Sequence, residues 1–204
     1  MIGELQHPDS STRHGAAGQL QAMGPDKKEA GPALLEALRR ENENSFILAW
    51  ALLAIDPQQG PAIVPEMIKY LRDKNAVNRH GAADVLAKIG PGAEAAIPVL
   101  TLGLYERKPL VRQHCAYALF KIGIRSEERK RLALQVLMDG LRVKHEASYR
   151  RVSARYLGEI GPQAKEAVSS LLEVSQAEDE ELRKSAKEAL KKIDPDAAAK
   201  AGVE

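Results

Sequence analysis

Apolar residues recur every three or four positions along much of the chain, which is the spacing that places side chains on one face of an α-helix. In the segment from Val111 to Ile122, this stripe is formed by Val111, Cys115, Leu119 and Ile122. Corresponding stripes are formed by Ala82, Leu86 and Ile89, and by Leu182, Ala186, Leu190 and Ile193. The pattern predicts amphipathic helices that each bury one face.

The predicted helices follow a regular repeat. A column of leucines is spaced by 33 residues and then once by 37, at Leu5, Leu38, Leu71, Leu104 and Leu141. A proline lies six residues before three of them, at Pro32, Pro65 and Pro98. Each repeat closes on a Gly-Pro, Asp-Pro or Gly-Ile pair, and glycine followed by proline is a typical helix stop. Each repeat is therefore predicted to hold two helices, the first ending at the leucine and the second at the closing pair.

These markers divide the chain into consecutive units with a short tail. The approximate boundaries are 1–25, 26–57, 58–91, 92–124, 125–162 and 163–195, with 196–204 as the tail. The first unit is too short for a first helix, so we expect either a longer parent chain with further domains or another element that caps this end. The last unit is highly charged and is expected to act as a polar cap.

Two further columns accompany the apolar stripe. Small residues lie beside it, which would let neighbouring helices approach closely, at Ala17, Ala49, Ala83, Ala116 and Ala154. An arginine opens the second helix of most units, at Arg13, Arg79, Arg112, Arg150 and Arg183, whereas the second unit has Ser45 at this position. An acidic residue often precedes it in the turn, as at Asp9, Asp73, Glu146 and Asp179.

With a proline in the first helix, an acidic turn, an arginine opening the second helix and a closing Leu-x-x-Ile-Gly-Pro, the sequence resembles the HEAT repeats. The form is the short one that is also found in bilin-lyase-like proteins. The resemblance covers essentially the whole chain and implies an all-α, right-handed α-α superhelix, a HEAT-like solenoid over 1–204. Ankyrin repeats share the 33-residue period, but their Thr-Pro-Leu-His signature is absent.

Composition agrees with close-packed helices. Apolar residues make up 44% of the chain and aromatic residues only 4%, which disfavours a sheet. The longest uninterrupted apolar run, Phe46–Ile55, is about half of a bilayer span, so no membrane partner is expected. The single cysteine, Cys115, excludes an intramolecular disulfide, and we expect a reducing, cytoplasmic location.

Basic charge is concentrated in residues 105–160, which carry 13 basic and 6 acidic side chains, although the whole chain has a net charge of only +2. A resemblance to HEAT-like DNA glycosylases makes nucleic-acid binding through this region one interpretation. A pI near 8.6 is weaker than the usual nucleic-acid footprint. We therefore favour an acidic protein or peptide as the partner.

Catalytic and metal-binding patterns are not visible in the sequence. It has no Gly-rich phosphate loop, no Gly-x-Ser-x-Gly elbow and no His-Glu-x-x-His motif. In the HEAT-type deoxyhypusine hydroxylases, repeated His-Glu pairs hold two irons, but here His14 and His80 are each followed by glycine and the only such pair is His145-Glu146. Cys115 lies on the buried stripe, which favours a packed core residue over a nucleophile. We expect no enzyme activity, no metal and no cofactor.

One column on the second helices points away from the buried stripe. Residues two, six and nine positions after the buried reference lie opposite it, where polar residues are expected. The column instead holds aromatic and basic residues, and HEAT architecture implies that second helices line the concave surface. The predicted partner-binding residues are Phe46, Trp50, His80, Tyr117, Phe120, Arg151 and Arg155. The alternatives are that the aromatic residues pack against another domain, or that the helical phase is shifted by one residue.

The function predicted from these features is a non-catalytic scaffold that holds a peptide or protein in a concave groove. Exposed aromatic rings combined with arginine are typical of protein-binding hot spots. The alternative is a bilin-lyase-like protein that handles a chromophore, in which the same groove would receive a tetrapyrrole.

Overall fold

The computed structural model describes residues 1–41, 46–143 and 146–203. Within these ranges 83% of the residues are helical and there is no strand, so the predicted all-α class is confirmed. Ser45 and His145 of the sequence analysis lie outside the described residues. The chain divides into two compact units, Met1–Leu100 and Thr101–Glu204.

The first unit begins with a short 3-10 helix, Gly3–Gln6, and arranges its α-helices in two rows. Its helices are α1 Ser10–Met23, α2 Gly31–Arg40, α3 Phe46–Ile55, α4 Gly60–Tyr70 and α5 Ala76–Ile89. In one row α3 packs between α1 and α5, and in the other α2 packs against α4. Helix α6, Ile97–Gly103, crosses the boundary into the second unit.

The second unit repeats the two-row arrangement. Its helices are α7 Pro109–Ile122, α8 Glu127–Leu141, α9 Ala147–Ile160, α10 Val168–Val174, α11 Glu180–Ile193 and α12 Pro195–Lys200. Helix α9 packs between α7 and α11, and α8 packs against α10. The row containing α9 is made of the helices that the repeat pattern predicts as second helices.

Glycine ends several second helices as the pattern predicts. Gly90 and Gly161 follow α5 and α9 with φ of 68° and 71°, a conformation that side chains with a Cβ atom rarely adopt. The chain then continues as 3-10 helix over Gly90–Ala96 and Gly161–Ala167. These kinks turn the chain from the second helix of one repeat into the first helix of the next.

The predicted apolar stripes form the core. Val111, Leu119 and Leu86 are at most 1% exposed, and the small residues Ala17, Ala49, Ala83, Ala116 and Ala154 are fully buried. Ile89 is the exception, because it is only half-buried. Within each unit, fully buried alanines on successive second helices allow these helices to lie close together.

Cys115 is buried, as predicted, and its sulfur lies against Gly103 of α6. A Cβ atom at position 103 would overlap with Sγ, so glycine is the residue that leaves room for the thiol. We expect a thiol reagent to modify the native protein about 100-fold more slowly than the urea-unfolded protein, because access requires local opening that costs about 2.7 kcal/mol. Equal rates of modification in the two states would contradict the packed position of Cys115.

The recurring arginine binds the turn that precedes its own helix. Arg79 Nη1 donates to the carbonyl oxygens of Asp73 and Lys74 at 2.7 and 2.9 Å. Arg13, Arg112 and Arg183 make the same pair of bonds, five and six residues back along the chain. Arg150 differs, since its Nε donates to the carbonyl of Leu141 at 2.8 Å. The column therefore satisfies turn carbonyls and fixes the connection between the two helices of a repeat.

Two of the acidic turn residues, Asp9 and Asp179, cap the helix that follows, and Asp194 caps the last helix. Asp9 accepts hydrogen bonds from the Thr12 hydroxyl and the Thr12 backbone N–H, both at 2.8 Å, and these bonds lower the pKa of Asp9. The backbone N–H of Ala197 donates to Asp194 at 3.0 Å and lowers the pKa of that carboxyl, with a further contribution from Lys165. Because both pKa values are lowered on folding, this stabilisation is present above the ordinary aspartate pKa and is lost as the pH falls through the folded pKa.

One helical stretch is long and apolar enough to cross a membrane by length and composition, contrary to the sequence expectation. Ala76–Gly103 contains a window with a mean hydropathy of 1.3, of which 44% is buried. Polar residues such as Asp84 and Lys88 interrupt this stretch, so it does not appear as a continuous apolar run in the sequence. The positive φ of Gly90 and the non-helical Ala93 break this stretch into α5, a 3-10 segment and α6. A buried core helix of a soluble protein can be equally long and apolar, so this stretch is weak evidence for a membrane span.

Candidate partner-binding site

The aromatic side chains of the predicted surface are half-buried, which corrects the expectation that they are exposed. This is true of Phe46, Trp50, Tyr117 and Phe120. Other members of the same column are fully buried, with Gln113 1% and Leu53 5% exposed. The physical reason is that the second helices of each unit lie side by side, so each helix covers part of its neighbour's outward face.

Phe46 is one of the side chains that a neighbouring second helix covers. Its ring lies on Gly81 of α5, where a Cβ atom would come within 2.8 Å of the ring carbon Cδ1. Because glycine has no side chain, position 81 leaves the space that the Phe46 ring occupies. His80 precedes this glycine and is half-buried. Phe46 thus contributes to the packing of α3 against α5 within the first unit.

Trp50 borders a cleft in the first unit with a volume of about 620 Å³. The cleft lies among side chains of α1, α3 and α5 and the turn after α3. Its lining residues are Gln21, Trp50, Leu53, Ala54, Pro57, Lys88 and Ile89. Trp50 is the predicted site residue that borders an apolar concave surface in this unit.

Tyr117 belongs to an aromatic cluster in the second unit. Its ring stacks on Tyr156 of α9 with centroids 4.1 Å apart and an angle of 3° between the planes. The Tyr117 hydroxyl donates to the carboxylate of Glu159. Beneath the stack, the Tyr156 hydroxyl lies 2.9 Å from His114 Nδ1. The cluster joins α7 to α9 and gives one side of this helix pair a fixed geometry.

Phe120 lies next to a smaller cleft of about 230 Å³ in the same unit. The cleft is bordered by the polar side chains Glu127, Lys130, Arg131, Gln163 and Glu166. Lys130 is paired with Glu127 at 2.7 Å, and Arg131 is exposed. Because acidic and basic groups alternate around it, this cleft has no dominant charge.

Arg151 and Arg155 line a cleft of about 380 Å³ between α9 and α11, which we call the α9–α11 cleft. Its lining residues are Ser148, Arg151, Val152, Arg155, Gly158, Ser185, Glu188, Ala189 and Lys192. The two helices approach closely at one end, where a Cβ atom on Gly158 would lie 2.8 Å from Ala189 Cα. The predicted arginine pair therefore lines a defined concave surface.

The electrostatics of the α9–α11 cleft favour an anion. Its lining includes three cationic side chains but only one carboxylate, Glu188. Arg151 and Lys192 form no ion pair with any residue in the described ranges. Arg155 lies over the Tyr156 ring at 4.9 Å from its centroid, and its Nε is 4.0 Å from Glu159. The ring and the carboxylate orient the guanidinium, while 57% of its side chain remains exposed.

The predicted site residues fall into two groups. Phe46, Trp50 and His80 belong to the first compact unit, and Tyr117, Phe120, Arg151 and Arg155 belong to the second. Within the second unit, the Tyr117–Tyr156 stack and the α9–α11 cleft share Arg155 as a common neighbour. Within the first unit, Trp50 has its own cleft.

Sequence reasoning missed three residues of the second unit. Tyr156 and His114 are 3% and 7% exposed, and Lys192 comes from the following repeat. Tyr156 lies seven residues after Tyr149, and seven residues bring a helix back to nearly the same face. That spacing could have marked Tyr156 as a buried partner for a ring on the preceding helix. The sequence of α9 contains no pattern that indicates Lys192 of α11 as a residue of the same cleft.

Across 1–41, 46–143 and 146–203, no three His, Cys, Asp or Glu residues come together as a group that could hold a metal ion.

The family model for HEAT repeats matches residues 47–120, which extend from α3 to α7. Residues 47–120 contain HEAT repeats. The resemblance drawn from the proline, arginine and glycine columns is thus confirmed. No curated protein is detectably similar to the sequence.

Solved structures show that the chain shares its fold with helical repeat solenoids. A designed armadillo repeat protein in complex with the peptide (KR)4 has a TM-score of 0.58 at 19% identity, covering 95% of this chain and 98% of its own. The complex of CpcE and CpcF of phycocyanin lyase from Nostoc sp. PCC7120 has a TM-score of 0.56 at 21% identity, covering 98% and 90%. An engineered protein has a TM-score of 0.59 at 22% identity, covering 98% and 95%. At these identities the likeness describes the fold, and the predicted solenoid class is confirmed.

Proposed function

We propose that this HEAT-repeat chain is a non-catalytic scaffold that binds an acidic peptide or protein at the α9–α11 cleft. The observation that carries the proposal is the convergence of Arg151, Arg155 and Lys192 on one concave surface. Two of these cations have no counter-ion among the described residues, so a partner carboxylate could pair with them without displacing an existing ion pair.

Arg155 is the expected anchor of this interface. Its guanidinium is held over the Tyr156 ring, which also stacks on the Tyr117 ring. An orientation that exists before binding reduces the entropy lost when the partner arrives. Arginine and tyrosine are also the residue types that are enriched at binding hot spots.

The size of the cleft indicates what enters it. A volume of about 380 Å³ accommodates one or two side chains rather than a folded element. The partner is therefore proposed to insert acidic side chains from an extended segment. The designed armadillo repeat protein with a similar fold is in complex with the basic peptide (KR)4, and the charge of the α9–α11 cleft favours the opposite sign here.

Binding of charge-matched peptides tests this proposal. We expect a fluorescein-labelled (Glu-Gly)4 peptide to bind more tightly than (Lys-Gly)4, as measured by fluorescence anisotropy at two salt concentrations. Arg155→Glu and Arg151→Glu should each weaken (Glu-Gly)4 binding about tenfold, or about 1.4 kcal/mol, because each places a carboxylate against the peptide's own.

Arg142→Glu is the matched control. Arg142 is 64% exposed at the end of α8 and lies 4.0 Å from Asp139, so its reversal makes the same change in net charge away from the cleft. The control should change affinity less than twofold. If all three reversals weaken binding equally, attraction depends only on net charge and the proposed site is wrong.

The likeness to the CpcE–CpcF complex supports a second candidate function, that of a chromophore-handling protein related to bilin lyases. Under this alternative, incubation with a bilin should yield protein with visible absorbance that persists through gel filtration. Under our proposal, the protein elutes without visible absorbance.

A further inference from the structure

The cleft beside Trp50 has a chemical character different from that of the α9–α11 cleft. Most of its lining is apolar, with the indole of Trp50 and the side chains of Leu53, Ala54, Pro57 and Ile89. Leu53 is 5% exposed, so this part of the lining is continuous with the core. The volume of about 620 Å³ lies within the range of about 300–1,000 Å³ that is typical of small-molecule sites.

The polar groups of this cleft are mainly hydrogen-bond donors. Lys88 supplies an ammonium group and Gln21 an amide, and the lining contains no carboxylate. Neither the Lys88 ammonium nor the Trp50 indole N–H pairs with another group in the described part of the chain. An apolar pocket with a single unpaired cation matches a ligand that combines an apolar body with one negative charge.

The acidic residue next to the lining residue Pro57 does not neutralise Lys88 through an ion pair. Asp56, which precedes Pro57, is paired with Lys28 at 3.4 Å and accepts hydrogen bonds from Gln59 Nε2 and the Gln58 backbone N–H. Its lone pairs are thus used within the turn after α3. Lys88 remains the available counter-charge at the cleft.

We propose that the Trp50 cleft binds a small amphipathic monocarboxylate, with its apolar body against Trp50 and Leu53 and its carboxylate paired with Lys88. The lining has one cationic side chain, and the ammonium group of a lysine is a compact point charge that can pair with a single carboxylate. The site lies in the first unit and is independent of the peptide proposal, which concerns the second.

Three eight-carbon probes separate the charge from the apolar body: octanoate, 1-octanol and octylammonium. Trp50 is the only tryptophan of the chain, so its emission reports on this cleft alone. In titrations of the full chain, octanoate is expected to shift the emission with saturation at the lowest concentration. 1-Octanol should bind at least fivefold more weakly, and octylammonium more weakly still.

Two variants and a control locate the contacts. Lys88→Gln should weaken octanoate binding at least fivefold and leave 1-octanol unchanged, whereas Ala54→Leu should weaken both by occupying the cleft. Lys74→Gln removes an exposed lysine outside the cleft lining and should change neither. Saturable binding of octanoate that is stronger than that of 1-octanol and depends on Lys88 supports the proposal. Equal binding of the three probes, or no emission change at millimolar octanoate, overturns it.

Discussion

Leu86→Ala is expected to lower the free energy of unfolding by about 2–5 kcal/mol, the cost of truncating a large core side chain. Leu86 is fully buried in α5, the helix that packs against both α3 and α4. Replacing its isobutyl side chain by a methyl group leaves a cavity between helices of the two rows. Urea unfolding followed by Trp50 fluorescence measures the change, because Trp50 lies in the same compact unit.

Val77→Ala is the control for this change. Val77 lies on the same helix but is 45% exposed, so its truncation should alter the free energy of unfolding by less than about 0.5 kcal/mol. A loss for Leu86→Ala as small as that of the control would show that α5 does not bury the predicted stripe.

Gly158→Val is expected to destabilise the second unit by about 3 kcal/mol or more, because the added side chain meets backbone that cannot move aside. A Cβ atom at this position would lie 2.8 Å from Ala189 Cα and 3.1 Å from Ala189 Cβ. The helices α9 and α11 would have to separate, and the α9–α11 cleft would change shape with them. Thermal unfolding by circular dichroism should show a lower transition temperature, together with weaker peptide binding.

Gly18→Val is the control that separates the effect of packing on stability from the effect of helix propensity. Gly18 is in α1, and a Cβ atom there would have no atom within 4 Å. Valine should be tolerated at this position because it favours a helix slightly more than glycine does. Equal destabilisation by the two substitutions would mean that the close contact between α9 and α11 is not what limits position 158.

The helical pairs and their buried stripes could be predicted from sequence because they depend on local periodicity. The spacing of Val111, Cys115 and Leu119 assigns all three to one face, and all three are buried. The column of arginines was visible too, but its role was not, since the bonds of Arg79 to turn carbonyls depend on how the chain folds back before the helix.

The candidate sites depend on contacts between helices, and this limited what sequence could predict. The angular position of Phe46 and Tyr117 on their own helices was opposite the core stripe, but the neighbouring second helices cover that face. Tyr156 stacks on Tyr117 of the preceding repeat, and Lys192 lines the α9–α11 cleft from the repeat that follows α9. Trp50, Arg151 and Arg155, which were predicted from single-helix geometry, line clefts, and their role in partner binding stays a prediction. The same geometry overestimated the exposure of the aromatic rings.

Reversing the charge of the α9–α11 cleft tests the central claim that this surface selects its partner by charge. The triple variant Arg151→Glu, Arg155→Glu and Lys192→Glu replaces three cations on one lining with three carboxylates. Fluorescence anisotropy should then show the preference inverted, with (Lys-Gly)4 bound more tightly than (Glu-Gly)4 while the circular dichroism spectrum is unchanged. A correctly folded triple variant that still prefers (Glu-Gly)4 would contradict the account.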